Sequence, residues 1–171
     1  LVKALSKDKK NKKIIEDLNL IKLKLDPLLE EFIDFTQPIY DKHIELVNKY
    51  IKKFTSYITL NSFSYLKNTS DFERFRIFLV FEVYDEQVVF ETPNLHSKIG
   101  NARYSMSEGD KSTVALCFFL ARLEYLNIKN KIVIFDYPLS SFDYSRRNTT
   151  IFHLAKIAKE CNQFFLLTHD L

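Results

Sequence analysis

The sequence predicts an α/β fold in its last third, preceded by a helical arm and a small antiparallel β element. Two short and wholly apolar segments, residues 132–135 and 164–168, are separated by a helical stretch, a pattern typical of parallel strands covered by helices on both faces. Residues 56–66 and 72–91 are rich in β-branched and aromatic side chains and predict a hairpin or small antiparallel sheet. Before them, apolar residues recur at the spacing of an α-helix.

The remaining elements follow from turn and cap residues. We predict a polar turn at Asp85-Glu86 and a loop over residues 93–105. Helices are predicted over residues 107–126 and 144–161. The domain prediction is therefore a helical arm or coiled-coil end over 1–55, followed by an α/β lobe over 56–171.

Within the arm, four apolar residues have the 4-3-4 spacing of a coiled-coil seam. They are Ile14, Leu18, Ile21 and Leu25. Because the pattern covers less than two heptads, a surface helix packed on its own domain is an equal alternative.

Two prolines divide the arm in the prediction. Asp26 followed by Pro27 is typical of an N-cap and first helical position, so a second helix should begin there. Gln37-Pro38 should end that helix, and a third helix should follow to about Lys53.

Composition limits the class of protein. The net charge is +3, but the first 13 residues hold six lysines and one aspartate, so the remainder carries −2. We favour a solvated helix end over a phosphate-binding arm for this lysine run. The chain has no uninterrupted stretch of roughly 18 apolar residues, the length needed to span a bilayer. Its first residues also do not have the pattern of a secretory signal. We therefore expect a cytoplasmic protein without a membrane partner.

The segment MSEGDKS, residues 106–112, begins a predicted helix. Ser107 can cap the helix, and Asp110 stands three residues later, as in a capping box. Gly109 lacks a side chain, so another group can approach the backbone closely. Free amides at a helix start can bind an anion such as phosphate, although the motif alone favours an ordinary capped helix.

Two further segments end strands. Asp136 ends the first apolar strand and precedes the Ser-Ser-Phe-Asp of residues 140–143. His169 follows the second strand, and both residues should emerge at the same carboxyl edge of a parallel sheet, where open α/β sheets bind ligands. A strand-end aspartate capping a turn is the alternative for Asp136, and a structural histidine is the alternative for His169.

In this order and spacing the segments resemble the second half of an ABC-type ATPase head. Residues 107–109 resemble the signature motif, 132–138 Walker B, 140–143 the D-loop, and Thr168-His169 the switch histidine. More narrowly, residues 104–171 are similar to coiled-coil ATPases related to SMC and RecF proteins, and closest to the bacterial PrrC and RloC group. The chain would then be the C-terminal part of a P-loop ATPase head.

The resemblance implies cofactors, partners and roles for particular residues. ATP and magnesium would be the cofactors, with Asp136 on the metal. The nucleotide would contact Ser107, Glu108, Gly109 and Ser141, and the catalytic candidates would be His169, Asp143 and Tyr137. A second head would complete the ATP site across a homodimer.

Two departures from the family pattern limit what is expected. The chain has two glycines, Gly100 and Gly109, and no G-x-x-x-x-G-K loop, so we expect it to be completed by an N-terminal Walker A segment of the same protein. Tyr137 stands where family members carry a water-orienting acid, and a phenol with a pKa near ~10 is a poor base. We expect slow hydrolysis in the full-length protein and none by this chain alone.

The expected function is an ATPase head that dimerises around ATP. It would drive a coiled-coil machine that acts on DNA or RNA, or controls an attached nuclease, in phage defence or DNA repair. The alternatives are a non-hydrolysing, nucleotide-gated dimerisation module and an interaction module without nucleotide function.

Overall fold

The structure, a computed structural model, describes residues 9–65, 77–90 and 100–168. The chain divides into two compact units, Leu1–Asp41 and Lys42–Leu171. No helix in the described part of the chain combines the length and apolarity needed to cross a membrane.

The first element is a single helix, α1 (Lys9–Phe54), so the predicted breaks at Pro27 and Pro38 are wrong. A proline in a helix interior costs on the order of 3 kcal/mol, because it removes one hydrogen bond and crowds the carbonyl four residues earlier. In a helix of 46 residues the hydrogen bonds on both sides outweigh that local cost. Before the second proline, the Thr36 hydroxyl donates to the Phe32 carbonyl at 2.8 Å.

The predicted seam of α1 is uncovered. Its side chains are between 36% and 59% exposed. Such exposure is expected for a coiled-coil seam whose partner helix is absent. The exposed seam residues are Ile14, Leu18, Ile21 and Leu25.

The predicted antiparallel sheet is confirmed. Strand β1 (Ile58–Tyr65) pairs antiparallel with β2 (Ile77–Val83), and β2 pairs antiparallel with β3 (Glu86–Val89). A short β4 (Gly100–Asn101) runs parallel to β3, and helix α2 (Ala102–Ser105) follows it. These two elements lie in the predicted loop, and both are too short to leave a periodic pattern in the sequence. Residues 91–99 lie outside the described residues.

The hairpin turn between β2 and β3 lies one residue earlier than predicted. Its two residues are Tyr84 and Asp85, with φ angles of 50° and 65°, and Val83 pairs with Glu86 on either side. Two positive φ angles are typical of a type I′ turn, whose twist matches that of the strands.

The C-terminal part has the predicted order of elements. Helix α3 (Glu108–Tyr125) is followed by β5 (Ile132–Asp136), α4 (Tyr144–Glu160) and β6 (Gln163–Leu167). Strands β5 and β6 are parallel neighbours, as predicted, and form a separate two-stranded sheet.

Helix α3 lies between two hydrophobic cores. One face packs Val114, Cys117 and Ala121 against the end of α1 and the antiparallel sheet. The opposite face packs Leu116, Leu120 and Leu123 against β5 and α4. The body of α3 is therefore held between the antiparallel sheet on one side and the parallel strands with α4 on the other.

The prediction that helices cover both faces of the parallel strands is wrong for the described residues. On β5, Val133 and Phe135 are buried against α3 and α4, whereas Ile132 and Ile134 are 58% and 57% exposed. Phe165 of β6, which pairs with Ile134, is half-exposed on the same side. Strands β5 and β6 are apolar on both faces, and the described residues cover only one of those faces.

Candidate functional site

The carboxyl ends of β5 and β6 form one edge of the parallel sheet. Asp136, the last residue of β5, pairs with Leu167, the last residue of β6. The Tyr137 backbone N–H then donates to the Leu167 carbonyl at 3.0 Å. Thr168 follows at this edge, while His169 lies outside the described residues, so its role stays a prediction.

Tyr137 has an unusual backbone conformation. Its φ angle is 47°, in the left-handed region that costs a non-glycine residue on the order of 1 kcal/mol or more. The Tyr137 carbonyl accepts from the Ser140 N–H at 3.3 Å, which closes a turn. The chain therefore bends sharply directly after Asp136.

Two buried apolar side chains hold the loop after Tyr137 against the hydrophobic core. Leu139 and Phe142 are buried, and the Phe142 ring lies 6.4 Å from that of Phe54. The Phe142 N–H donates to the Leu139 carbonyl at 3.3 Å. Between these anchors, Ser140 and Ser141 are exposed. The predicted D-loop is thus a fixed turn that presents two serines to solvent.

Asp143 caps α4. Its carboxylate accepts from the Arg146 N–H at 2.9 Å and lies 3.6 Å from the Arg146 Nε. The side chain remains largely exposed. The carboxylate thus has a local structural task, and its catalytic role stays a prediction.

The predicted capping box at the start of α3 is present. The Asp110 N–H donates to the Ser107 Oγ at 3.1 Å, and the Ser107 N–H donates to the Asp110 Oδ2 at 3.1 Å. Glu108 is exposed and forms an ion pair with Lys111 at 2.7 Å. Ser107 and Glu108 therefore stand at an open helix start whose amide groups favour an anion.

Gly109 is in close contact with the loop that follows Asp136. A Cβ atom at this position would lie 3.0 Å from the Ser141 carbonyl oxygen and 3.0 Å from the Arg146 Nη1. The group that approaches Gly109 closely is therefore the Ser141 carbonyl of the same chain. It brings the start of α3 against the predicted D-loop.

Three side chains connect the antiparallel sheet, α3 and α4. Arg146 Nη2 donates to Asp110 Oδ1 at 2.7 Å and to the Tyr57 hydroxyl oxygen at 2.8 Å. The Tyr57 hydroxyl donates to Asp110 Oδ1 at 2.7 Å. Burial alone would raise the pKa of Asp110, but hydrogen bonds from Tyr57, Ser107 and Arg146 outweigh it and hold the pKa below its ordinary value. Asp110 is therefore ionised at neutral pH.

The sequence interpretation missed Tyr57 and Arg146. Arg146 stands in the first turn of α4, where the helix dipole disfavours a cation, so its position did indicate a need for a partner. No local pattern indicated Tyr57, because the hydrogen bond joins residues 89 positions apart.

Asp136 fits a limited role in metal binding. The described residues contain no cluster of three or more His, Cys, Asp or Glu side chains that could hold an ion. Magnesium, however, commonly takes one or two carboxylates and completes its shell with phosphates and water. The exposed carboxylate at this edge fits one protein ligand of a magnesium ion that arrives with a nucleotide.

Known proteins support the fold and family. Residues 85–171 match the AAA domain family, whereas no curated protein matches the chain. A similar solved structure is the Smc head domain with an extended coiled coil bound to the C-terminal domain of ScpA, from Pyrococcus furiosus. It is 16% identical with a TM-score of 0.51, and the match covers 98% of this chain and 40% of that chain.

At this level of identity the likeness shows the fold alone, which is the mixed α/β fold of the C-terminal part of a P-loop ATPase head. The chain spans about two-fifths of the length of that solved structure. Because the family match includes both parallel strands and covers about half of the sequence, the chain belongs to the AAA domain family.

Proposed function

We propose that this chain forms the C-terminal lobe of an ATP-binding head in a coiled-coil ATPase, with Mg-ATP at the carboxyl edge of β5 and β6. The observation that carries the proposal is the contact of Gly109 with Ser141. That contact places the anion-favouring start of α3 beside the loop that follows Asp136. The contact thus brings together, at one edge of the lobe, an element for the magnesium of this head's own nucleotide and an element for the phosphates of a second head's nucleotide.

Each candidate residue has a role in this proposal. Asp136 holds magnesium, which neutralises charge on the phosphates when it is bound. Ser107, Glu108 and Gly109 at the α3 start, together with Ser141, contact the nucleotide of a second head. Asp143 and His169 lie near the terminal phosphate and assist hydrolysis.

The open face of the parallel sheet supports a further part of the proposal. Ile132, Ile134, Phe165 and Leu167 expose at least half of their surfaces on this face. Full burial of such side chains contributes about 1.5–3 kcal/mol each. We assign the face to the Walker A segment of the same protein, which would supply the triphosphate cradle.

The exposed seam of α1 supports an arm that pairs with another helix. In the proposal, pairing of two heads around ATP moves this arm, which acts on DNA or RNA or controls an attached nuclease. Similarity to the PrrC and RloC group, with a role in phage defence or DNA repair, is proposed from residues 104–171 alone.

Tyr137 favours a second candidate function. A positioned carboxylate contributes roughly 10²–10⁴-fold to a rate, and the phenol does not replace it at neutral pH. In the second candidate, ATP promotes head pairing and hydrolysis has no part in the cycle. Both candidates share the same nucleotide edge.

Nucleotide affinity tests the shared edge. We expect the protein with its Walker A segment to bind ATP more tightly with magnesium than without, and Asp136→Ala to remove that difference. Asp41→Ala, which removes an exposed carboxylate of α1, is the matched control and should retain the magnesium effect. An unchanged magnesium effect in Asp136→Ala would refute the assignment.

A further inference from the structure

A second concave site lies away from the sheet edge. A groove of about 940 Å³ runs between the end of α1, the end of α3 and the C-terminal half of α4. This volume is within the range of small-molecule sites. Its floor includes Leu120, Leu123 and Ile157, and rings of Tyr50 and Phe152 line it. The groove thus offers an apolar, partly aromatic surface.

The rim of the groove is basic. Five lysines line it against two glutamates, whereas residues 14–171 as a whole carry a net charge of −2. The lysines are Lys49, Lys53, Lys129, Lys156 and Lys159. Positive charge is therefore concentrated at this groove in an otherwise slightly acidic body.

The two glutamates are already engaged. Glu124 accepts from the Lys49 Nζ at 2.6 Å and from the Tyr50 hydroxyl at 2.7 Å, and Glu160 lies 3.9 Å from the Lys156 Nζ. Three of the lysines have no carboxylate partner in the described part of the chain. These three lysines are Lys53, Lys129 and Lys159, and the Lys53 Nζ lies 5.4 Å from the centre of the Tyr50 ring.

His153 gives independent support for a ligand. Its side chain lines the groove with 6% exposure, and its ring lies 5.4 Å from that of Tyr50 and 5.7 Å from that of Phe152. Among residues 9–65, 77–90 and 100–168, nothing hydrogen-bonds to its imidazole. Buried polar groups are normally satisfied, so this ring has one donor and one acceptor in need of a partner.

The groove is separate from the proposed ATP site. Ser107 and Asp143 precede the first turns of α3 and α4, whereas the groove is lined from Leu120 and Phe152 onward. His153 stands ten residues after Asp143, a distance of ~15 Å along a helix. A ligand in the groove would therefore not occupy the carboxyl edge.

We propose that this groove binds a nucleoside phosphate, with the phosphate on the lysine rim and the base against Phe152 and His153. Lysines serve as point charges for phosphate oxygens. Phe152, beside His153, is 68% exposed, so its ring is accessible for stacking with a planar base. The same chemistry is offered by a free nucleotide and by a nucleotide within a single strand.

Calorimetric titration of the full-length protein without magnesium tests the proposal, with AMP, a five-nucleotide single strand and pyrophosphate as probes. We expect Phe152→Ala to weaken binding of AMP or the strand at least about five-fold, the lower limit for one stacked base. Pyrophosphate should bind Phe152→Ala and wild type equally. Lys53→Glu should weaken all probes that bind, whereas its neighbour Lys52→Glu should leave their affinities within about two-fold.

Either AMP or the strand alone can uphold the proposal, and the one that binds identifies the source of the nucleotide. The proposal is overturned if neither binds, if Phe152→Ala has no effect, or if Lys52→Glu weakens binding as much as Lys53→Glu. Because the edge residues are unchanged in all variants, magnesium-dependent ATP binding should persist in them. A wild-type protein that does not bind ATP would instead contradict the proposed head function.

Discussion

Arg146 of α4 and Asp110 of α3 form a nearly buried ion pair, with 2.7 Å between Nη2 and Oδ1. The pair joins the two helices whose starts carry Ser107 and Asp143, and Tyr57 extends it to the antiparallel sheet. The ion pair therefore adds to the Gly109–Ser141 contact and to the shared hydrophobic core in holding the two helix starts together.

Removing Arg146 should destabilise the fold. Arg146→Ala leaves the Asp110 carboxylate buried without its cation, and breaking such a pair typically costs about 3–5 kcal/mol. In urea unfolding, the free energy of unfolding of Arg146→Ala should be lower than that of wild type by about this amount. Lys111→Ala, which removes the exposed ion pair to Glu108, is the matched control and should change the free energy of unfolding by less than about 1 kcal/mol. Equal losses in the two variants would show that the buried pair contributes nothing special.

Asp110 should make stability depend on pH in the acid range. Its pKa is held below the ordinary value of 3.8, so its contribution is complete above that value and is lost as the pH falls through the folded-state pKa. The free energy of unfolding should therefore fall more steeply below about pH 4 in wild type than in Asp110→Asn. The same slope in both proteins would contradict the assignment.

Gly109→Ala should disturb the contact between α3 and the loop that follows Tyr137. The new Cβ meets the Ser141 carbonyl, which is backbone and cannot rotate away, and we expect a loss of about 1–3 kcal/mol by chemical denaturation. Gly100→Ala meets the Val88 side chain first, at 3.1 Å, and should cost less because a side chain can move. The reverse order of losses would show that Gly109 is not required by packing.

Tyr137→Glu should accelerate hydrolysis in the protein with its Walker A segment. We expect at least a ten-fold increase in single-turnover rate, a small part of the ~10²–10⁴ available to a positioned base. Tyr137→Phe, which keeps the ring and removes the hydroxyl, should match wild type. His169→Ala should abolish residual turnover if the histidine has taken over part of the role. A fast wild type that Tyr137→Glu slows would mean that the tyrosine itself belongs to the active site.

The sequence predicted the parts of the fold that local chemistry controls. The start of α3 was predicted because Ser107 can act as an N-cap, and the parallel pairing of β5 and β6 followed from two apolar runs around a helix. Pro27 and Pro38 gave wrong helix ends, because the breaks were inferred from local preference whereas α1 forms cooperatively over 46 residues.

The site was predictable to the same extent. Asp136 and the end of β6 meet at one edge because the order of elements requires it. The Tyr57, Asp110 and Arg146 network was not predictable, since its members are separated by 36 to 89 positions and only folding brings them together. The open face of β5 was also missed, because an apolar strand has the same sequence whether one face or both are covered in a given chain.

Light scattering on the protein with its Walker A segment tests most directly whether the edge at Asp136 and Ser107 closes on ATP between two heads. We expect a monomer without nucleotide and a dimer with saturating Mg-ATP. Ser107→Asp keeps a good N-cap but places a negative charge against phosphate, so it should remain monomeric, whereas the neutral cap in Ser107→Thr should permit the dimer. A wild type that stays monomeric under Mg-ATP, or a Ser107→Asp variant that dimerises as well as wild type, would contradict the proposed head.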